Sequence, residues 1–451
     1  MRIENDLRHD DIKQLVFRIA IPSMLAQFVS VFYSIIDRMY IGNIAEVGAI
    51  ALAGVGICGP VITMIGSVAS FVGIGGAPLM SMRLGEGKKE QAQKIMANAF
   101  MLLLFFSIII GITTFLIRKP MLSLFGASVA TMPYANTYFS IYLTGTMFAL
   151  LATGMNQFII CQGYSKVGMR SVLIGAILNI LLDPIFIFLF DMGVAGAALA
   201  TVLSQLASCI FVITFLFSDS IPVKISFEGY SLSICKRILK IGLTPFIIVA
   251  FDNIMIIAMN AILQRYGGAS EGDLLVTCAT IAQSFMLVVT MPLGGITGGT
   301  QTILAFNYGA NQYDRVKKAE KYIMLLSLIY TTFLFILALV AGPLFVRLFT
   351  NDAIIAKEAF HAIKICTLMI IPLSIQYVIV DGLTGLGQVQ YSLPLSTLRK
   401  GIYFIALFIL PMFYGARATF YAEPISDIIS PILSSIVYIF AMKKILKPKE
   451  A

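Results

Sequence analysis

The sequence predicts an all-α membrane protein of twelve transmembrane helices, arranged as two lobes of six. Hydrophobic residues make up 59% of its 451 residues and charged residues only 12%, whereas a soluble globular protein carries about 25% charged residues. The apolar runs are continuous, as in residues 101–116, which contain no charge. Continuous runs favour helices, because the strands of a membrane β-barrel alternate polar with apolar residues.

Twelve apolar segments are predicted to cross the bilayer, which takes about 20 residues of helix. They are 15–41, 50–80, 93–117, 131–158, 167–190, 194–217, 236–262, 274–305, 319–341, 358–386, 391–413 and 418–442. The longest connection, 218–235, is polar for this protein and contains Pro222 and Gly229. We therefore predict an N-terminal lobe over 1–217, a cytoplasmic linker over 218–235 and a C-terminal lobe over 236–451.

Prolines and glycines of the first half recur in the second at a spacing of 223 or 224 residues. The pairs are Pro22 and Pro245, Gly85 and Gly309, Pro120 and Pro343, and Gly163 and Gly387. Each repeat contains six helices. Because this number is even, both copies enter the membrane in the same orientation. The lobes should therefore be related by a pseudo-two-fold axis along the membrane normal, with a substrate path between them.

Basic residues are distributed unevenly between the two sides of the predicted membrane. Of 32 Lys and Arg, 22 lie in the N-terminus, the even-to-odd connections and the C-terminus, and seven lie in the opposite loops. The positive-inside rule then places both termini in the cytoplasm of a bacterial cell, with the chain in its cytoplasmic membrane. The net charge of +9 is therefore a topology signal, and we do not expect a nucleic-acid partner.

The chain lacks the usual signatures of an enzyme, a cofactor or a metal centre. Its six Cys are scattered and its two His are far apart, so we expect no disulfide framework and no metal cluster. Glycine-rich stretches at 54–60, 71–78 and 292–299 lack the Lys-Ser/Thr ending of a phosphate loop, and we interpret them as sites of close helix packing. Because Trp is absent, the interfacial aromatic role is assigned to Tyr40, Tyr138 and Tyr142.

Six acids fall inside predicted spans beyond the first two residues of each, where an ionised Asp costs about 2.5–3.5 kcal/mol at mid-helix. They are Asp37, Asp183, Asp252, Asp381, Glu423 and Asp427. Each should face a cavity, pair with a base or remain protonated. A structural ion pair or a hydrogen-bonded neutral acid is the alternative to a functional role for each of them.

In the first lobe, two of these acids and two further polar residues are predicted to lie at a similar depth in the membrane. Counting from the predicted span ends at about 1.5 Å per residue, Asp37 lies roughly 6 Å deep, and Asp183 and Thr201 roughly 10 Å deep. Asn179 lies one turn before Asp183 on the same helix face. Pro184 frees a backbone carbonyl one turn earlier. These groups suit either Na⁺ or a carboxylate pair that shares a proton.

The second lobe does not repeat this polar set. In the second repeat, Asn260 occupies the position equivalent to Asp37, and Leu407 occupies the position equivalent to Asp183. Asp252 and Asp427 lie near mid-membrane with Arg399 and Lys400 nearby, which favours charge compensation. A second cation or substrate site on these acids is the alternative. Asp381 lies near the cytoplasmic end of its helix and is expected to reach water.

Several stretches resemble the multidrug and toxic compound extrusion (MATE) transporters, in particular the bacterial MepA-like branch. They are YSIIDRMYIG, LNILLDPIFIF, GVAGAALATVLSQ, PLGGITGGTQTILAFNYGA and AEPISD. The resemblance covers essentially the whole chain. It implies a V-shaped pair of lobes that exchange organic cations and other amphiphiles for H⁺ or Na⁺.

The resemblance also implies a first-lobe cation site on Asp37, Asn179, Asp183 and Thr201. The acid of helix one is not universal in the MepA-like branch, so its presence favours a fuller site. Other branches carry acids in the second lobe. Asp252 matches one of these only approximately, and Asp381 is in the right helix but not clearly at the right position.

These observations predict a cation-coupled antiporter that exports amphiphilic organic cations by alternating access. Neutralising the acids of the first lobe would let helix one repack, with Pro22, Pro184 and Pro245 as hinges. We expect a monomer in membrane lipid, without a cofactor and without a metal other than Na⁺. A lipid or lipid-linked saccharide flippase is the first alternative, although its cavity would need more bases. A channel or a membrane-embedded enzyme is the second.

Overall fold

The structure is a computed structural model that describes residues 4–350 and 352–446. Three bases counted above as cytoplasmic, Arg2, Lys447 and Lys449, lie outside the described residues, as does the end of the predicted C-terminal lobe. The described residues form helices and no strand. The helices are α1 (Ile12–Gly42), α2 (Gly48–Gly85), α3 (Lys89–Leu124), α4 (Met132–Thr144), α5 (Thr146–Ile160), α6 (Ser165–Pro184), α7 (Gly193–Phe217), α8 (Leu232–Gly309), α9 (Tyr313–Arg347), α10 (Ala353–Cys366), α11 (Ile370–Gly385), α12 (Val389–Tyr414) and α13 (Ala422–Ile445), with a π-helical turn at Ile185–Leu189 and a 3₁₀ helix at Ala416–Tyr421.

Ten helical segments in the described part of the chain are long and apolar enough to cross a membrane, and two bent pairs raise the number to twelve. The long α8 supplies two of the ten, Leu232–Gly268 and Glu271–Gly309, because Gly268 interrupts it with a φ of 61°. Each predicted span has a helical counterpart. The all-α membrane fold that the sequence predicted is thereby confirmed.

The two bent pairs correspond to the predicted spans 131–158 and 358–386. Helices α4 and α5 meet at 55°, and helices α10 and α11 meet at 48°. Gly145 lies at the first bend, where an added Cβ would come within 2.7 Å of Val202 Cγ2 on α7. The bend therefore lies against a close helix contact that only a residue without a side chain permits.

The described chain divides into two compact units. The first unit contains residues up to 10 and 21–249, and the second contains 11–20 and the residues from 250 onwards. The boundary in the middle of the chain thus falls inside α8 and not in the polar connection 218–235. The predicted division at that connection remains a prediction.

The connection between α7 and α8 packs within the first unit through side chains that bind its backbone. Asn98 on α3 accepts a hydrogen bond from the Ser231 amide at 2.9 Å and donates to the Gly229 carbonyl at 3.1 Å. Gln162 accepts from the Val223 amide at 2.9 Å. These bonds satisfy backbone groups that no regular element pairs, which is why an irregular segment can be partly buried.

The glycine-rich stretches differ in how closely they pack. In the stretch 71–78, a Cβ at Gly73 would lie 2.8 Å from the Gly154 carbonyl oxygen, and one at Gly75 would lie 2.3 Å from the Ile238 carbonyl oxygen. By contrast, Gly294 and Gly298 have open space at that position. Close helix packing therefore explains Gly73 and Gly75 and does not explain Gly294 and Gly298.

Candidate functional site

Polar side chains of α6 and α7 meet inside the first unit. The Asn179 amide donates to Asp183 Oδ1 at 3.3 Å and lies 3.4 Å from Thr201 Oγ1, within hydrogen-bonding distance. The Thr201 hydroxyl itself donates to the Ala197 carbonyl at 3.0 Å. Asn179 is 2% exposed and Asp183 is fully buried. The i, i+4 spacing of Asn179 and Asp183 places both on the helix face that packs on α7.

Helix α1 adds a second carboxyl group to this cluster. The side chains of Asp37 and Asp183 are in hydrogen-bonding contact. Oxygens Asp37 Oδ1, Asn179 Oδ1 and Asp183 Oδ2 are buried and have no partner among the described residues. Two carboxyl groups in contact away from water cannot both stay charged without a counter-charge. The cluster can therefore hold a shared proton or a small cation bound by oxygen atoms.

Two tyrosines of α4 lie beside the cluster. The Tyr138 side chain lies beside Thr201, and its ring stacks on that of Tyr142 with centroids 6.4 Å apart. Tyr138 and Tyr142 are only 5% and 6% exposed. Their assignment to the lipid interface was therefore wrong. Their i, i+4 spacing on one face of α4, beside polar side chains of α7, was the signal that could have placed them here.

The α6 helix changes its geometry directly after the cluster. Pro184 ends the helix and a π-helical turn follows over Ile185–Leu189. Proline has no amide hydrogen, so the carbonyl one turn earlier loses its usual donor. On α7, a Cβ at Gly196 would lie 2.7 Å from the Phe186 carbonyl oxygen. π-helical turns inside α-helical segments are frequent at functional sites, and this one is next to Asp183.

Three of the predicted intramembrane acids in the second unit are paired with bases. Arg399 donates to Asp427 at 2.8 Å and to Glu423 at 3.1 Å. Lys400 pairs with Asp252. The Asp427 side chain is fully buried and that of Asp252 is 47% exposed. This arrangement compensates charge and leaves three acids against two bases.

Asp381 does not form an ion pair with the described residues. It accepts a hydrogen bond from the Thr297 hydroxyl of α8 and is partly buried. The structure therefore places Asp381 in a separate polar contact between α8 and α11. The ion pairs of Arg399 and Lys400 do not include it.

The three predicted hinge prolines have different helical settings. Pro22 lies inside α1, where the helix continues without a break. Pro245 lies within the first segment of α8, which is also continuous. Only Pro184 coincides with a change of helix type. Each proline removes one backbone hydrogen bond from its helix, and so marks a point of lower bending stiffness.

The fold and the buried polar cluster define a multi-pass membrane protein of the transporter class. The profile of the MatE family matches residues 22–185 and 246–410. The chain therefore belongs to the MatE family, and the resemblance predicted from its motifs is confirmed. The two matched stretches begin one repeat apart, at the spacing of the paired prolines and glycines.

Curated relatives match over nearly the full length. The multidrug export protein MepA of Staphylococcus saprophyticus is 23% identical over 424 residues, which cover 93% of this chain and 91% of that protein. The multidrug export protein MepA of Staphylococcus aureus strain N315 is 24% identical over 426 residues, with the same shares. The chain is thus a member of a family of multidrug efflux transporters.

Solved structures share the fold at low sequence identity. An outward-facing multidrug resistance MATE family transporter of the MOP superfamily superposes with a TM-score of 0.91 at 23% identity, covering 98% of each chain. A MOP superfamily transporter from Pyrococcus furiosus superposes with a TM-score of 0.92 at 23% identity, covering 99% of each chain. These likenesses extend the fold assignment to the whole length of the chain.

Proposed function

We propose that the protein is an antiporter that exports amphiphilic organic cations and takes up H⁺ or Na⁺ in exchange. The observation that carries the proposal is the contact between the carboxyl groups of Asp37 and Asp183 inside the first unit. Asn179 and Thr201 surround this pair with further oxygen atoms. A buried carboxyl pair is a group whose net charge changes when one cation binds.

Charge neutralisation supplies the coupling energy in this scheme. Two unit charges 4 Å apart repel by about 4 kcal/mol at an effective dielectric constant of 20. A proton or Na⁺ bound between Asp37 and Asp183 removes that repulsion and lets α1 pack more closely. Release of the cation restores it. Pro22, Pro184 and Pro245 serve as the points where the helices bend, so that cation binding and substrate release occur in different conformations.

The balance of buried charge supports a cationic substrate. The bases Arg399 and Lys400 are each held by acids of their own unit. No surplus of positive charge is left by these pairs to bind the pyrophosphate of a lipid-linked saccharide. A flippase of such lipids, the alternative function, therefore has less support. The curated relatives are also named multidrug export proteins.

We further propose that the chain works as a monomer in the bacterial cytoplasmic membrane, with both termini in the cytoplasm and without a cofactor. The asymmetric distribution of Lys and Arg supports this orientation. Among the described residues, no group of three or more His, Cys, Asp and Glu is arranged to hold a metal ion. Na⁺ would instead be bound by carboxylate, amide and hydroxyl oxygens.

The test is efflux of ethidium or norfloxacin from proteoliposomes under a Na⁺ gradient or a H⁺ gradient, each imposed separately. Asp37→Asn and Asp183→Asn should each abolish gradient-driven efflux. The matched control is Asp191→Asn, since Asp191 is exposed and its φ of 53° suits Asn as well as Asp. Full antiport in both site variants would refute the role of the pair.

The efflux assay and two further measurements separate the remaining alternatives. Efflux driven by only one of the two gradients identifies the coupling ion. Transport of a fluorescent lipid-linked saccharide without any cation efflux would favour the flippase. Single-channel currents in a planar bilayer would show a channel instead of an antiporter.

A further inference from the structure

A cavity of about 570 Å³ lies between α9, α11 and α13 in the second unit. It is separate from the ion pairs of Arg399 and Lys400, none of whose residues line it. Its walls are mostly apolar and include Met324, Val378, Ile379 and Met442. This volume and these walls suit part of an acyl chain with a small polar group.

A buried carboxyl group gives the cavity a polar wall. Glu320 of α9 lines it and is only 7% exposed. The Tyr438 hydroxyl of α13 donates to Glu320 Oε2. The other oxygen, Oε1, is buried and has no hydrogen-bond partner among the described residues. Gly382 leaves room for Oε1, since a Cβ there would lie 3.3 Å from it.

An unpaired buried acceptor is costly, because it has lost its water and gained no donor. A ligand that brings an N–H or O–H group to Glu320 would remove this cost. The ligand therefore has to carry a hydrogen-bond donor.

Three lysines form the rim of the cavity. Lys317 and Lys321 lie one turn apart on the same face of α9, and Lys443 lies on α13. All three are exposed and none forms an ion pair with residues 4–350 or 352–446. The distribution of basic residues predicts that this end of the unit is cytoplasmic. Basic residues at the cytoplasmic ends of membrane helices are attracted to the lipid headgroups of the inner leaflet.

We propose that this cavity is a binding site for a phospholipid of the cytoplasmic leaflet whose headgroup carries a hydrogen-bond donor. The three rim lysines bind the phosphate. The apolar walls hold the start of an acyl chain. The ammonium of an ethanolamine headgroup, or a hydroxyl of a glycerol headgroup, donates to Glu320. A choline headgroup has the phosphate but no donor, so it satisfies only the lysines.

Two other ligands fit the cavity less well. An amphiphilic cation would meet three lysines before it reached the single carboxyl group. A free phosphate would bind the lysines but leave the apolar walls in contact with water. The simplest alternative is that the lysines bind no ligand and only extend toward the membrane–water interface, as long basic side chains do at helix ends. That explanation predicts no headgroup preference.

The first experiment measures lipid binding to the purified full chain by native mass spectrometry. The probes are phosphatidylethanolamine, phosphatidylglycerol and phosphatidylcholine with identical acyl chains. The triple variant Lys317→Gln, Lys321→Gln, Lys443→Gln should weaken binding of all three lipids by about a hundredfold, from the attraction of three basic residues for lipid phosphate. The matched control is Lys318→Gln with Lys444→Gln, which changes exposed neighbours outside the cavity.

Equal binding by the triple variant and the control would overturn the role of the lysines. Glu320→Gln should reduce the preference for phosphatidylethanolamine over phosphatidylcholine to about one. If that variant does not fold, the role of Glu320 is tested by the lipid preference of the wild-type protein. Equal binding of phosphatidylethanolamine and phosphatidylcholine to the wild-type protein would overturn the role of Glu320. Inorganic phosphate and glycerophosphoethanolamine should compete only weakly. Competition as strong as that of intact lipid would overturn the assignment to a lipid.

Discussion

Replacing Arg399 with Met would test how strongly a buried ion-pair network holds the second unit together. Arg399 pairs with Asp427 at 2.8 Å and with Glu423 at 3.1 Å, and its side chain is 9% exposed. Asp427 has no access to solvent. After the substitution the Asp427 carboxylate has no base beside it and cannot be hydrated, so its ionised form is strongly disfavoured. Breaking a buried pair in this way costs about 3–5 kcal/mol.

The chain contains a matched control for this substitution. Arg417 also pairs with two acids, Glu271 at 2.9 Å and Glu358 at 3.2 Å, but its side chain is 48% exposed. Exposed ion pairs contribute about 0–1 kcal/mol. Arg417→Met should therefore cost at most about 1 kcal/mol. The two substitutions remove the same chemical group and differ mainly in burial.

The assay is unfolding of the purified protein in detergent, followed by helical circular dichroism during heating and in denaturant. The double variant Arg399→Met, Asp427→Asn should recover much of the lost stability, because the uncompensated charge at Asp427 is gone. The reasoning would be refuted if Arg399→Met and Arg417→Met lowered the free energy of unfolding equally. It would also fail if the double variant were less stable than Arg399→Met alone.

Three further predictions concern the first unit. A Cβ at Gly242 would lie 1.7 Å from a backbone oxygen of α2, so Gly242→Ala should destabilise by at least about 1–3 kcal/mol. Gly111→Ala, with open space around it, should not destabilise in the same melting experiment. Asn98→Ala removes both bonds to the connection before α8, so cleavage of that connection by a protease should become faster. Tyr138→Phe removes a buried hydroxyl beside Thr201 and should slow efflux by about tenfold or less, the effect of at most one hydrogen bond of about 1 kcal/mol, with unchanged melting. Wild-type melting of Gly242→Ala, wild-type proteolysis of Asn98→Ala or wild-type efflux by Tyr138→Phe would contradict the contact concerned.

Sequence reasoning was most successful where the information is local. A transmembrane helix is encoded by the hydrophobicity of its own residues, so each predicted span has a counterpart in the structure. It was less successful for side chains whose setting depends on a neighbour. Tyrosine is a residue type enriched at membrane interfaces. Helix packing nevertheless buries Tyr138 and Tyr142 beside the polar groups of α7. Likewise, the free space beside Gly294 could not be foreseen from a glycine-rich motif.

The candidate cluster in the first unit was assembled from depth in the membrane and helical spacing. Those two quantities bring Asn179 and Asp183 to one face and place Asp37 at a similar level. They do not say which helices are neighbours. The hydrogen bonds of Asn179 to Thr201 and the contact of Asp37 with Asp183 require α1, α6 and α7 to pack together.

The amino-acid sequence by itself determined the membrane class, the helical segments and the internal duplication, because each depends on residues close together in the chain or on a repeated spacing. Only the tertiary structure decided the partners of the buried charges. Arg399 and Lys400 are adjacent in sequence but pair with acids on different helices. Glu320 was not recognised as an intramembrane acid, and its cavity exists only because α9, α11 and α13 converge. Charge pairing acts over a few ångströms, and only folding brings residues distant in sequence within that range.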